Sequence, residues 1–220
     1  MNDDPPHKCR VLIVDDHPAV REGLAARIEL QAGLEVCGEA DGVAAGLRQA
    51  RKLKPDIAVI DLSLGDSSGM DLIKHLQADN LPIRILVWSM YPDSLYAERV
   101  LRLGARGYIN KTHTTGKMIE AIETVCRGEV YLSEDMTRQL LRHAVSGNQP
   151  ITRDPIETLS NRELDVFRML GEGLVTSGIA ERMCISVHTV ETHIQRIKVK
   201  LQISSRAELV SMAARWLVGQ

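Results

Sequence analysis

Val11-Leu12-Ile13-Val14-Asp15-Asp16-His17 decides how this chain of 220 residues is to be read. Four apolar residues run without a polar break, as in a strand buried on both faces of a sheet. Two carboxylates follow at the point where such a strand ends. The pattern recurs through the first half, at Val36-Cys37, Ile57-Ala58-Val59-Ile60, Ile85-Leu86-Val87-Trp88 and Tyr108-Ile109. Helical stretches lie between these runs, near 20–31, 43–54, 70–77, 94–103 and 117–127. In the first of them Val20, Leu24 and Ile28 recur every fourth residue and form one apolar stripe. Five βα repeats predict an α/β domain: a doubly wound parallel sheet with helices on both sides.

The last third has a different texture. From Ser160 onward there is helical periodicity and no strand-like run. Ser160-x-x-Glu163 and Ser205-x-x-Glu208 read as capping boxes at helix starts. Ahead of this part, residues 146–155 are polar and rich in turn formers, as in a linker, and a linker helix is expected over 133–145. The expected division is a first domain over 9–128, a linker helix and flexible linker over 129–156, and a small all-α, four-helix domain over 157–220.

Composition narrows the function classes. No run of 18 apolar residues is present, so no membrane helix is expected. The start, Met1-Asn2-Asp3-Asp4, lacks the apolar core of a signal peptide. Cys9, Cys37, Cys126 and Cys184 are scattered without metal-ligand spacing. They read as free thiols in a reducing cytosol, hence a cytoplasmic protein. The net charge of −2 is uneven: from Thr158 on there are eight Lys/Arg against six Asp/Glu, and before it nineteen against twenty-three. A polyanionic partner would meet the rear.

In an open parallel sheet, ligands bind beyond the carboxyl ends of the strands. Asp15 and Asp16, Asp61, Ser89 and Lys111 all stand at such ends, separated by one or two βα units. Singly, each has an ordinary explanation as a helix cap or surface group. Together they predict three carboxylates, a hydroxyl and an ammonium at one rim. Clustered carboxylates repel unless a cation neutralises them, and Mg²⁺ suits a site of few carboxylates, water and phosphate oxygens. Such an ion screens an incoming phosphoryl group, so one carboxylate can attack phosphorus and form an acyl phosphate. Lys111 would supply charge to the phosphoryl oxygens and Ser89 a hydrogen bond.

Residues 185–201 carry a second pattern. Val187, Val190, Ile194, Ile197 and Leu201 form one apolar stripe, with His188, Thr192, Gln195, Arg196 and Val199 opposite and Glu191 at the edge. A short helix over 179–183 and a turn over 184–186 precede it. This order fits a helix-turn-helix whose second helix enters the DNA major groove. Periodicity by itself favours an ordinary helical bundle with a solvated face.

Residues 10–128 resemble a response-regulator receiver domain, through Val11-Leu12-Ile13-Val14-Asp15-Asp16-His17, Asp61, Ser89, Gly104-Ala105-x-Gly107-Tyr108 and Lys111. Residues from Glu157 to Val218 resemble a LuxR-type helix-turn-helix. The resemblance is carried by Leu159-Ser160-x-Arg162-Glu163-x-x-Val166, Gly173, Ile179-Ala180, Ile185-Ser186-x-x-Thr189-Val190-Glu191-x-His193, Lys200-Leu201 and Arg206. The whole is similar to the NarL/FixJ class of bacterial two-component response regulators. That resemblance implies the flavodoxin-like strand order 2-1-3-4-5. It implies Asp61 as phosphoacceptor and a sensor histidine kinase as donor. It further implies Mg²⁺ on Asp16, Asp61 and the Ser63 backbone carbonyl, with Asp15 acting through water. Ser89 and Tyr108 would form the switch pair. A homodimer on activation would bind promoter double-stranded DNA. Glu191, Thr192 and Gln195 are placed near base edges, and Thr189, Arg196 and Lys200 near phosphates.

Three positions depart from the family pattern. Gly65 stands where receivers usually carry Pro, so that loop is expected to be more mobile. Thr112 follows the lysine in place of Pro. Thr176-Ser177-Gly178 lacks a cation before Ile179, and Gly178 weakens that helix by up to roughly 1 kcal/mol. Two other functions are weighed. A phosphohydrolase using Asp61 would need a second Asp at position 63, where Ser63 stands, so a turnover enzyme is not expected. A DNA binder that is never phosphorylated would have no use for the full acidic set.

Overall fold

A computed structural model of the chain describes residues 8–65, 67–145 and 155–218. The chain divides into two compact units, Met1–Val145 and Ser146–Gln220. Most of the polar linker falls outside the described residues. No helix among the described residues is long and apolar enough to cross a membrane.

In the first unit, β1 (Cys9–Val14), α1 (Pro18–Glu29), β2 (Leu34–Ala40), α2 (Val43–Leu53) and β3 (Ile57–Ile60) follow in turn. A small hairpin, β4 (Ser63–Leu64) and β5 (Ser67–Ser68), leads into α3 (Gly69–Ala78). Then come β6 (Arg84–Ser89), α4 (Asp93–Arg102), β7 (Gly107–Asn110), α5 (Thr115–Cys126) and α6 (Glu134–Val145). The parallel sheet runs β2-β1-β3-β6-β7, the expected order once the hairpin is set aside. The hairpin is an addition to the expected elements, because two-residue strands of mostly polar residues leave no periodic trace.

Register positions the rim. Val14 pairs with Ile60 and Ser89 with Asn110, so Asp15 lies beside Asp61, and Ser89 near Lys111. A slip of one residue would send these side chains to the opposite face. The register is held by burial: Val11, Ile13, Val59, Leu86 and Ile109 pack under Leu24 and Ile28 of α1 and Met118, Ile122 and Val125 of α5. Each such side chain contributes about 1.5–3 kcal/mol when fully buried.

Cys9 and Cys126 are joined by a disulfide, 117 residues apart in sequence. Cys37 and Cys184 remain thiols. This corrects the reading of four scattered thiols and removes the cysteine argument for a reducing compartment. Cys9 opens β1, and Cys126 closes α5, which packs over the same sheet. Linear spacing carries no sign of that meeting.

The second unit holds a short 3₁₀ turn (Pro155–Thr158), α7 (Asn161–Gly171), α8 (Thr176–Arg182), α9 (Val187–Leu201) and α10 (Arg206–Val218). Its first capping box is complete. The Ser160 amide donates to Glu163 Oε2 at 2.7 Å, and the Glu163 amide donates back to Ser160 Oγ at 3.4 Å. Phe167 of α7 meets Trp216 of α10 edge to face, with ring centres 5.6 Å apart. On α9 the buried stripe is Val190, Ile194, Ile197 and Leu201. Val187, expected to belong to it, is 49% exposed. It is the first helical residue, and the covered part of the stripe begins one turn later.

Reducing the Cys9–Cys126 bond frees a long loop in the unfolded chain. It should destabilise the first unit by about 2–4 kcal/mol, seen as a lower guanidinium midpoint with dithiothreitol. Cys9→Ser should show the lower midpoint with or without reductant, and Cys37→Ser should behave as wild type.

Candidate functional site

The first unit gathers charge at the rim where strand order reverses. Asp15 and Asp61 follow the adjacent strands β1 and β3, and the Asp61 amide donates to the Val14 carbonyl at 2.9 Å. Lys111 follows β7, its amide bound to the Ser89 carbonyl at 2.8 Å. Its Nζ donates to Asp15 Oδ2 at 2.5 Å and to Asp61 Oδ2 at 2.6 Å. The Lys111 side chain is 9% exposed, and the two carboxyl groups are more deeply buried still. The Trp88 ring lies under the ammonium, 5.3 Å from centre to Nζ.

Asp16 is half-exposed and meets two partners. Its Oδ2 accepts from the Gly65 amide at 2.9 Å, and its Oδ1 faces His17 Nδ1 at 2.6 Å. Gly65 has φ 57, a left-handed conformation that suits glycine. Proline there would have neither this φ nor an amide hydrogen. The departure expected to loosen the loop therefore gives it a tie to Asp16. Ser63 stands two residues beyond Asp61, at the start of the hairpin. No cis peptide bond occurs among the described residues, so the Lys111–Thr112 bond is trans.

Burial is the largest influence on Asp61 and pushes its carboxyl above the usual range. Asp15 adds to this, and Lys111 opposes both without cancelling them. Burial also works against the Lys111 charge, but Asp61 and Asp15 outweigh it and hold the ammonium above its ordinary value. Asp61 Oδ1 is buried without a hydrogen-bond partner, while Asp16 Oδ1 has only the His17 ring beside it. Ligand atoms of Asp15, Asp16, His17 and Asp61 all lie within 4.8 Å of one another. Clustered carboxylate oxygens, one of them unpartnered, suit a hard divalent cation at this spacing. Sequence does not single out His17, which reads there only as the residue after the acidic pair.

Ser89 and Tyr108 are both buried behind Asp61. The Ser89 hydroxyl stands close enough to act on both the Asp61 carboxyl and the Tyr108 phenol. Burial drives the Tyr108 phenol far above its ordinary value, so it stays a neutral donor. Its hydroxyl donates to the Tyr91 carbonyl at 2.7 Å.

In the second unit, α9 exposes His188, Thr189, Gln195, Arg196 and Val199. Thr192 is half-buried, and its hydroxyl donates back to the His188 carbonyl at 3.0 Å. Thr189 is tied to the Ser186 cap at the helix start. Glu191 is committed elsewhere: its Oε1 accepts from Arg206 Nη1 and from Thr176 Oγ1, each at 3.0 Å. Arg206 also donates to Thr176 Oγ1 at 2.6 Å. This triad joins the starts of α8 and α10 to the middle of α9. It also brings a cation to Thr176, where the sequence shows none nearby. Lys200 is engaged as well, donating to Glu163 Oε2 at 2.6 Å and to the Thr158 carbonyl at 3.1 Å. Burial raises the Glu163 carboxyl, but Lys200 and Ser160 outweigh it and hold the group below its usual value. Periodicity shows which face of α9 is polar, not which polar groups are already paired.

Comparison with known proteins matches residues 11–123 to the response regulator receiver domain, and residues 157–213 to the bacterial regulatory proteins of the luxR family. The chain is 35% identical to the transcription regulator BvgA of Bordetella pertussis, over 94% of this chain and 97% of that protein. It is 36% identical to the oxygen regulatory protein NreC of Staphylococcus aureus, over 94% and 97%. Among solved structures, a LuxR-family two-component response regulator from Aurantimonas aligns with TM-score 0.58 and 33% identity, covering 63% of this chain and 99% of that one. RcsB of Salmonella enterica, solved bound to a promoter, shares the fold with TM-score 0.60 and 24% identity, over 95% and 100%.

Two measurements probe this geometry. The folded Asp61 carboxyl titrates above its ordinary value. Without metal, stability should therefore fall as pH rises through that raised value, because the unfolded chain releases the proton first. Urea midpoints against pH should show this slope in wild type and lose it in Asp61→Asn. In the second unit, Glu191→Gln should shift affinity by a similar factor for every DNA sequence tested, as expected of a strut. A change confined to one base pair would show Glu191 reading a base instead.

Proposed function

Since the chain belongs to the two-component response regulators of the NarL/FixJ class, transcription regulators that join a receiver domain to a LuxR-type DNA-binding domain, we propose that phosphorylation of Asp61 controls its binding to promoter DNA. The single observation that carries this reading is Lys111 bridging Asp15 and Asp61 where the strand order reverses. A cytoplasmic sensor histidine kinase domain is the donor. An Asp61 carboxylate oxygen attacks phosphorus, the P–O bond forms, and the P–N bond of the phosphohistidine breaks. The leaving imidazole keeps the electron pair. The protein does not turn over a substrate; it carries the group.

Asp16, Asp61 and the Ser63 carbonyl would hold Mg²⁺, with Asp15 reaching it through water. When bound, the ion neutralises the clustered carboxylates and the phosphoryl oxygens. The chain's own groups do the rest. Lys111 exchanges one carboxylate oxygen for a phosphoryl oxygen, keeping its contact with Asp15. Ser89 turns its hydroxyl to a second phosphoryl oxygen. Tyr108, neutral and buried, follows the hydroxyl that leaves it. Phosphorylation adds roughly −1.5 to −2 charge and three acceptor oxygens to the pocket. That is enough to bias a surface with two arrangements.

Activation pairs two chains, so that two α9 helices meet half-sites about one DNA turn apart. Gln195 and Thr192 face base edges, where glutamine can pair bidentately with adenine. Arg196 and Thr189 face phosphates. Lys200 and Glu191 support α9 from within the domain. RcsB, a neighbour in fold, was solved on a promoter in the presence of a phosphomimetic.

The test uses duplexes recovered by genomic pull-down. Acetyl phosphate with Mg²⁺ should tighten binding by wild type about 5- to 150-fold, the usual span of allosteric coupling. Asp61→Ala should show no gain. Equal tightening in both proteins would overturn the switch.

A further inference from the structure

The way out of the receiver is stitched to its switch residues. After α5 the chain returns along β7, the edge strand. Tyr131 forms a parallel bridge to Gly107. Its amide donates to the Arg106 carbonyl at 3.0 Å, and its carbonyl accepts from the Tyr108 amide at 3.1 Å. A β-carbon at position 107 would lie 2.9 Å from that same carbonyl oxygen, so the approach requires glycine. Two residues later Ser133 begins the linker helix. Its Oγ accepts from the Met136 amide at 3.2 Å, the bond of a helix N-cap, and donates to Asp93 Oδ2 at 2.6 Å. Asp93 is the first residue of α4, and α6 packs beside α4 with Met136 buried. The residue just ahead of α4's cap is held from the switch side: the Tyr91 carbonyl accepts from the Tyr108 hydroxyl and from Asn110 Nδ2, each at 2.7 Å.

Tyr108 therefore touches three things at once. Its side chain neighbours Ser89 and holds the root of α4, while its main chain holds the root of α6. Asp93 and Ser133 close the triangle between the two helix roots. We infer that Asp93 and Ser133 are positioning residues that carry the state of the Ser89–Tyr108 pair from the phosphoacceptor pocket to the linker helix α6. The inference rests on the reading of Asp61 as phosphoacceptor and adds the exit of the signal. When Ser89 turns toward the phosphoryl group, Tyr108 follows it and gives up the Tyr91 carbonyl, which loses one of its two donors, so the Tyr91 segment shifts. Asp93, two residues on, moves with it. Through the Ser133 hydroxyl it carries the first turn of α6, the helix that leads in sequence to the DNA-binding unit.

A plain helix cap predicts something else. It needs Ser133 and is indifferent to Asp93, and its loss lowers stability without touching the response to phosphorylation. The experiment compares full-length wild type, Asp93→Ala, Ser133→Ala and Ser133→Thr, each with and without acetyl phosphate and Mg²⁺. Phosphoryl incorporation on Asp61 is read on a phosphate-affinity gel, DNA affinity by anisotropy, and the protection of residues 134–145 by hydrogen exchange.

All four proteins should incorporate phosphate alike. The gain in DNA affinity should fall below about twofold in Asp93→Ala and Ser133→Ala and return in Ser133→Thr, against the 5- to 150-fold span expected of wild type. Protection of α6 should change on phosphorylation in wild type and Ser133→Thr only. Normal incorporation with an undiminished gain in Asp93→Ala would overturn the inference and leave the parent reading standing. A wild type that takes up no phosphate would remove both. Asp93→Ala leaves the α6 cap in place, so its result stands even if Ser133→Ala fails to fold.

Discussion

Lys111 between Asp15 and Asp61 is the contact on which the receiver depends. The sheet register forces two carboxylates side by side in a buried rim, and burial raises the free energy of each charge. One ammonium shared by both offsets much of that cost at distances of 2.5 and 2.6 Å. Removing one partner of a buried pair costs about 3–5 kcal/mol, because the remaining charge is left uncompensated. The site is therefore held together by its charges and strained by them. A raised Asp61 carboxyl with an orphaned oxygen is the mark of that strain.

Much of this was legible in the sequence, for a physical reason. Strands buried on both faces are continuous apolar runs, and a doubly wound sheet puts its chemistry at their carboxyl ends. Asp15, Asp16, Asp61, Ser89 and Lys111 could thus be brought to one rim by counting βα units. The helical stripe of α9 was legible from its period, apart from Val187 at the uncovered end. The Cys9–Cys126 bond, the β4–β5 hairpin, the Glu191–Arg206–Thr176 triad and the Lys200–Glu163 pair were not. Periodicity assigns a residue to a face. It does not say which residue of another element shares that face.

Those hidden pairs change the electrostatics of the DNA-binding end. Its excess of basic residues is small to begin with. Lys200 and Arg206, two of its eight Lys/Arg, are already paired with Glu163 and Glu191. Counterion release scales with the phosphates neutralised, so each such internal pair lowers what a single unit can contribute. On the reading proposed above, joining two units adds affinity, because the second binding event becomes effectively intramolecular. A switch that controls pairing therefore acts where such a domain has most affinity to gain.

The energy scale fits control through few contacts. Allosteric coupling between two sites is typically about 1–3 kcal/mol. A hydrogen bond contributes about 0.5–1.5 kcal/mol net, and up to about 3 kcal/mol when one partner is charged. The bonds from Tyr108 to Tyr91, from Ser133 to Asp93 and from Tyr108 to Tyr131 together amount to about 2.5–6 kcal/mol on that scale, so altering one or two of them reaches the coupling range without wholesale repacking of the core. The hydrophobic layer under α1 and α5 can stay fixed in both states. In the inferred route, what moves is the polar seam at the edge of the sheet, where β7, the root of α4 and the root of α6 meet around one buried tyrosine.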